Sequence, residues 1–484
     1  MTDPTPSRIS EDGDVIDTPS VTVVEEGVFH GQSLRYAATA GRLPVVGPDG
    51  VVDAQMFYVA YVREEVIPAS RPVVFFTNGG PGAATAWLHL GGLGPRRIIM
   101  NDDGSTPPPP ARITENPDCA LDAADLVFID AIGTGYSRAA NDDAKKRFFE
   151  REGDLESYVA FIVQYLQQNA RWGSPIYLFG ESYGGMRVAA LSDLLVRRGV
   201  PVSGAVILSS ALDFHLLSPS LTNPLPHALT LPSFATVAAH HRRIEPSLCR
   251  DGDSLRREVE QWAETVYLPA LLKGRRSSGV ERDHIVAGLV RYTGLPEAVI
   301  RAEQLRIDVP TFMKYLLADQ GLVVGRTDGR IAGAPVQDRV EEPYYDPAMG
   351  AMTPAFSAAT RQLLTGSLRV PLGIPYRMYS RDVASRFVLG PAATYGREGY
   401  PQSLTALQAA AVKNPAFRIL SLQGLYDLAA PYWTTEHGLD QLLAAESFAA
   451  QITQVRLPGG HMSYADEVAR KKIGAVLTEF LRPS

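Results

Sequence analysis

Gly180-Glu181-Ser182-Tyr183-Gly184-Gly185 follows directly on the apolar run Ile176-Tyr177-Leu178-Phe179, and no other stretch of the chain says as much about its architecture. The run reads as a buried strand, and Met186-Arg187-Val188-Ala189-Ala190-Leu191 beyond it reads as a helix. Gly-x-Ser-x-Gly between a strand and a helix is the setting in which a serine sits on a sharp turn with its hydroxyl held out above a sheet. Side chains at the flanking glycines would collide with the neighbouring strand and helix, and the turn itself is strained. Ser182 is therefore the candidate nucleophile.

A serine hydroxyl is inert at neutral pH, so it needs a base, an acid that orients the base, and a site for the oxyanion. In this arrangement the acid and base follow the serine in the order Asp, His. Phe417-Arg418-Ile419-Leu420-Ser421-Leu422-Gln423 reads as a strand and runs into the turn Gly424-Leu425-Tyr426-Asp427. Gln451-Ile452-Thr453-Gln454-Val455-Arg456-Leu457 reads as a second strand, closed by Pro458-Gly459-Gly460-His461. Asp427 and His461 thus fall in loops just past the C-terminal ends of strands, where open α/β sheets place their sites. Asp440 and Asp466 read instead as helix-surface and helix-start positions. Arg71-Pro72-Val73-Val74-Phe75-Phe76-Thr77 reads as another buried strand, leading into Asn78-Gly79-Gly80-Pro81-Gly82. Such a glycine run lets backbone N–H groups approach a developing oxyanion, with the Tyr183 N–H as the second donor.

Asn78-Gly79-Gly80-Pro81-Gly82, Gly94-Pro95, Asp130-Ala131-Ile132-Gly133-Thr134-Gly135-Tyr136-Ser137, Gly180 to Gly185 and Gly460-His461-Met462 occur in this order. Together they resemble the serine carboxypeptidase family, α/β-hydrolases that remove C-terminal residues from peptides. The resemblance runs from about residue 55 to the C-terminus, with about 215–370 outside the motifs. It implies Ser182, Asp427 and His461 as a triad, and the Gly80 and Tyr183 N–H groups as the oxyanion hole. It also implies that Asn78, Gly79 and Glu181 hold the substrate's terminal carboxylate, and it calls for no cofactor or metal.

Three departures stand out. The family's second glutamate, the partner of the one beside the serine, falls here on Gly92, which leaves Glu181 without that partner in the motif. An acid from the cap could replace it in space. The family's usual tryptophan two residues before the asparagine is Phe76, and its disulfide framework is missing. Two cysteines, Cys119 and Cys249, in 484 residues cannot form such a framework and show no metal-ligand spacing. The polar start Met1-Thr2-Asp3-Pro4 lacks a secretory core, and no apolar run approaches a membrane span. These features suggest a cytoplasmic protein of a bacterial-type branch. Forty-six Lys+Arg against 53 Asp+Glu give a net charge of −7 without a basic block, which argues against nucleic-acid or anionic-membrane partners. The expected partner is a peptide or small ester substrate; oligomeric state is left open, a homodimer among the options.

The spacing predicts an α/β fold: a doubly wound, mostly parallel sheet with a mainly helical inserted cap. Residues 1–20 read as a disordered tail and 21–214 as the first part of the hydrolase core. Within the latter, Val21 to Glu64 reads as antiparallel edge strands, with parallel-type strands at about 72–77, 125–130, 175–180 and 204–209. Residues 215–370 read as the cap and 371–484 as the second part of the core. In the cap Leu255, Val259, Trp262 and Val266 fall at helical spacing, and Thr327-Asp328-Gly329-Arg330 reads as a hairpin turn. Trp262, Tyr267, Phe312 and Tyr315 read as cap core. The function expected is a serine-type carboxypeptidase acting through an acyl-enzyme. An esterase or acyltransferase would use the same triad, and a non-catalytic binding protein on this scaffold is the remaining class.

Overall fold

A computed structural model describes residues 20–47, 49–210, 212–336, 346–371, 373–390, 400–442 and 451–482. The expected disordered tail, residues 1–20, lies outside the described residues except for Ser20.

Among the described residues ten strands form one sheet. β1 (Val21–Phe29), β2 (Gln32–Val46) and β3 (Val52–Arg63) make an antiparallel meander at one edge. β4 (Val73–Thr77) lies deeper in the sheet, whereas the short β5 (Arg96–Ile98) and β6 (Ile113–Glu115) pair only with each other. β7 (Asp125–Ile129) pairs antiparallel with β3, which β8 (Arg138–Ala139) also joins. From β7 the order runs β4, β9 (Ile176–Glu181), β10 (Val202–Leu208), β13 (Arg418–Gly424) and β14 (Ile452–Leu457), all parallel. β4, β7 and β9 are buried along their whole length, which is why they appear in the sequence as unbroken apolar runs. Phe76, at the family's tryptophan position, stacks on Phe128 with centroids 4.5 Å apart and packs on Phe179 at 4.9 Å. Burial on both faces selects a large apolar ring there, and phenylalanine satisfies it.

The chain leaves the sheet after β10 and builds helices Leu225–His240, Gly252–Trp262, Gly279–Thr293 and Val309–Tyr315. They bury a separate apolar cluster, to which Tyr267 and Phe312 belong and against which Trp262 and Tyr315 pack. Phe312 stacks on Phe234 at 4.2 Å and Trp262 on Tyr267 at 5.5 Å. The hairpin of β11 (Val323–Val324) and β12 (Ala332–Gly333) closes this unit. Helix Pro347–Arg361 packs elsewhere: Met352 and Phe356 join the main core, with Phe356 4.7 Å from Trp87. Among the described residues no helix is long and apolar enough to cross a membrane.

Candidate active site

Ser182 stands between β9 and helix Tyr183–Arg197 with φ +58° and ψ −128°, a conformation few residues other than glycine adopt. The turn is tight because Gly180 and Gly184 face each other: a Cβ on Gly180 would lie 2.0 Å from the Gly184 carbonyl oxygen. Backbone strain of this kind persists only where surrounding structure enforces it. Here the Ser182 N–H donates to the Leu208 carbonyl at 3.0 Å, and Ser210 Oγ donates to the Ser182 carbonyl at 2.8 Å.

Asp427, fully buried, follows β13, and His461 follows β14. One Asp427 oxygen accepts the Ala429 and Ala430 N–H groups at 2.7 and 2.9 Å, which fixes the carboxylate. The other lies 2.7 Å from His461 Nδ1. Nε2 is then the nitrogen left for Ser182. Burial works against the imidazolium, but the charge and hydrogen bond of Asp427 override it and hold His461 above its ordinary range; Glu181 adds to this and Arg326 opposes it. Ser182 and His461 open onto one cavity of ≈ 710 Å³, which Asn78, Gly80 and Glu181 also line. Asp440 ends helix Tyr432–Asp440, and Asp466 caps helix Glu467–Leu481 by accepting the Ala469 N–H at 2.9 Å. Neither is placed to serve His461 in the way Asp427 is.

Tyr183 is the first residue of its helix, so no intrahelical carbonyl can take its N–H, and the positive end of the helix dipole lies there. Gly79 lies against it: a Cβ at that position would be 2.6 Å from the Tyr183 nitrogen and 2.8 Å from Ser182 Cβ. Gly80, the next residue of the run, lines the same cavity as Ser182. The Gly79 N–H donates to Asn78 Oδ1 at 2.7 Å, and Asn78 Nδ2 donates to Glu181 Oε2 at 2.6 Å. Asn78 therefore links the loop to Glu181, and the Gly79 N–H is engaged within the protein.

Glu181 is not left without a partner, as Gly92 had suggested. Tyr464, three residues past His461, donates its phenol to both carboxylate oxygens at 3.2 and 3.1 Å. Its ring occupies the space beside Gly91, where a Cβ would come within 2.1 Å of Cε2. A tyrosine that follows His461, rather than an acid, is thus the partner of Glu181. Burial pushes the Glu181 carboxyl up to about 7, partly offset by His461, Tyr464 and Asn78, whereas Asp427 adds to the rise.

Two further features escaped sequence reading. Arg187, on the helix after Ser182, is buried; its Nε and Nη2 donate to Asp154 at 2.8 and 3.2 Å, and its Nη1 to Thr77 Oγ1 and the Asn78 carbonyl at 2.7 and 2.6 Å. One guanidinium so ties the nucleophile helix to the glycine loop. The tip of the β11–β12 hairpin docks on both loops that carry the acid and base. The His461 N–H donates to the Thr327 carbonyl at 2.6 Å, the Leu428 N–H to the Arg326 carbonyl at 3.0 Å, and the Gly329 N–H to the Tyr426 carbonyl at 2.9 Å. Asp-Gly gave the turn away; nothing local indicated where it would dock.

With this geometry in hand, the solved structure of Kex1(delta)p, a prohormone-processing carboxypeptidase from Saccharomyces cerevisiae, aligns with a TM-score of 0.57. It covers 92% of this chain and 91% of its own at 16% identity. The fold is that of an α/β-hydrolase. Residues 40–229 match the family model described as serine carboxypeptidase. Serine carboxypeptidase S10 family member 1 of Dictyostelium discoideum is 24% identical over 170 residues, 34% of this chain and 38% of that protein. Serine carboxypeptidase-like 50 of Arabidopsis thaliana is 27% identical over 207 residues, 42% of this chain and 43% of its own. Matched segments thus span less than half the length of these relatives. The segment that matches the family model carries Asn78, Glu181 and Ser182.

Proposed function

We propose that this chain is a serine hydrolase of carboxypeptidase type, cleaving peptides through an acyl-enzyme on Ser182. The observation that carries this reading is the strained Ser182 turn facing the same cavity as a histidine bound at 2.7 Å to a buried aspartate. His461 would take the Ser182 proton and return it to the leaving amine, with Asp427 stabilising the imidazolium. The Gly80 and Tyr183 N–H groups would receive the oxyanion. Asn78 and Glu181 would face the substrate's C-terminal side, with a protonated Glu181 able to donate to a free carboxylate. Cys119, buried, and Cys249, exposed, are both unpaired, which supports a reducing, cytoplasmic setting and a bacterial-type branch without the disulfide framework.

Fluorophosphonate labelling followed by peptide and ester assays tests the reading. Ser182→Ala should abolish labelling and lower turnover by roughly 10⁶-fold while the fold persists. Labelling that survives, or moves to another serine, would refute it. Turnover of simple esters with no measurable cleavage of any peptide would shift the assignment to an esterase.

A further inference from the structure

The cavity at Ser182 has one cationic side chain from the cap on its wall, Arg326, at the tip of the β11–β12 hairpin. Its backbone is fixed. The Arg326 carbonyl accepts the Leu428 N–H, the next residue's carbonyl accepts the His461 N–H, and Asp346 Oδ2 accepts both the N–H and the hydroxyl of Thr327 at 2.9 and 2.8 Å. The guanidinium is exposed, and among the described residues no carboxylate lies within ion-pair reach of it. Arg330, four residues on in the same hairpin, shows the contrast: it pairs with Asp328 at 2.6 Å and Asp466 at 2.8 Å. Both carboxylates on the cavity wall are otherwise engaged. Glu181 takes Asn78 and Tyr464, and Asp346 takes Thr327 and the Ala348 N–H.

We propose that Arg326 determines the specificity of this site by pairing with the carboxylate of an acidic side chain of the substrate. This deepens the serine-hydrolase reading and rests on it. An arginine presents a planar fork matched to a carboxylate, and inside a cleft such a charge-assisted pair is stronger than its counterpart in open solvent. The pairing also acts on the chemistry. The guanidinium, which has no carboxylate partner among the described residues, opposes positive charge on His461, which must become imidazolium when Ser182 attacks. A bound carboxylate cancels that opposition, so a favoured substrate gains in kcat as well as in KM. A neutral isostere of the same shape leaves the guanidinium unpaired in the occupied cleft and gains neither.

The experiment uses N-blocked dipeptides that differ only by Glu or Gln on either side of the scissile bond, each with a free or amidated C-terminus. They are assayed with the wild type, Arg326→Gln, Arg326→Glu and Arg326→Lys after active-site titration with fluorophosphonate. The wild type is expected to favour the carboxylate over its amide isostere by roughly 10- to 100-fold in kcat/KM, with part of the gain in kcat. Arg326→Gln should abolish the preference, Arg326→Lys should keep part of it, and Arg326→Glu should reverse it in favour of the Gln-bearing substrates. A preference in the side-chain pairs that Arg326→Gln removes identifies an acidic residue as the partner, whereas a preference confined to the free-against-amidated pairs overturns the proposal. Equal treatment of every pair by a wild type that labels at Ser182 overturns the proposal and leaves the hydrolase reading intact. A preference of undiminished size in Arg326→Gln overturns it too. A wild type that does not label at Ser182 removes the hydrolase reading beneath it.

Discussion

Glu181 is the residue whose chemistry depends most on its surroundings. Its carboxyl is buried, accepts Asn78 and Tyr464, and is pushed up to about 7 from an ordinary value of 4.5. Because the folded value lies above the unfolded one, the fold favours the protonated form. Stability from this group is complete below about 4.5, falls as pH rises, and is lost above about 7, an effect on the order of 3 kcal/mol. Glu181→Gln removes the titration: its amide can donate to the Tyr464 oxygen, whose phenol can turn to accept. The variant should therefore gain in melting temperature relative to the wild type at pH 8 and not at pH 4. On the functional side it should raise activity on free-carboxylate peptides relative to amidated ones above pH 7, where the wild-type carboxylate repels them. Parallel pH profiles for the two proteins would remove Glu181 from any role in reading the substrate terminus. Ser182, Asp427 and His461 were legible as candidates because each sits just past the end of a strand, and Glu181 through the family resemblance. Tyr464 and Arg326 were not, because what places them is a contact between loops distant in sequence, and no periodicity records that.

Among elements, the helix Tyr183–Arg197 links nucleophile and oxyanion loop, and its hold depends on Arg187. That side chain and Asp154 are both almost wholly enclosed, and the guanidinium also lies over the Tyr158 and Tyr183 rings at 4.8 and 4.9 Å. Such a pair is costly to break because one charge is left buried without its partner. Arg187→Met should cost about 3–5 kcal/mol in denaturant unfolding, and Arg187→Met with Asp154→Leu should recover much of that loss. If the double variant is no more stable than the single one, the arginine matters through the Thr77 and Asn78 contacts and not through charge. Sequence reading placed Arg187 on a helix without giving it a task. A charged residue in the run Met186 to Leu191 could equally have faced solvent, and only the third dimension puts Asp154 opposite it. The parallel strands themselves were plain from the sequence. Strands β4, β7 and β9 are covered on both faces, so they carry no polar alternation that could be mistaken for helix or loop.

Across the whole molecule, cap and core share their apolar interior. Leu425, Leu428, Tyr432 and Trp433, from the region that carries Asp427, lie in the same buried cluster as the cap residues Phe234, Val259 and Phe312. The segment read as one cap divides in space: the helices up to Val309–Tyr315 form this cluster, whereas Pro347–Arg361 joins the sheet's core. Local patterns could not reveal that division, since an amphipathic helix shows which face is buried and not against what. The hairpin tip is where the cap meets the acid and base loops, and Gly460 is the point of closest approach. A Cβ there would lie 2.3 Å from the Thr327 carbonyl oxygen and 2.6 Å from Asp328 Cβ, so Gly460→Ala must push the hairpin outward. Overpacking of this kind costs about 1–3 kcal/mol. Displacement would also break the 2.6 Å bond from the His461 N–H to Thr327 and let the imidazole drift from Asp427. Misplacement of a catalytic group by about 1 Å can lower turnover 10²-fold, so kcat should fall by an amount of that order, more than the stability loss alone explains. Hydrogen exchange should rise at residues 326–331 and at His461 while the β4 and β9 amides stay protected. An unchanged kcat, with exchange raised only in the hairpin, would show that the cap rests on the acid and base loops without positioning them.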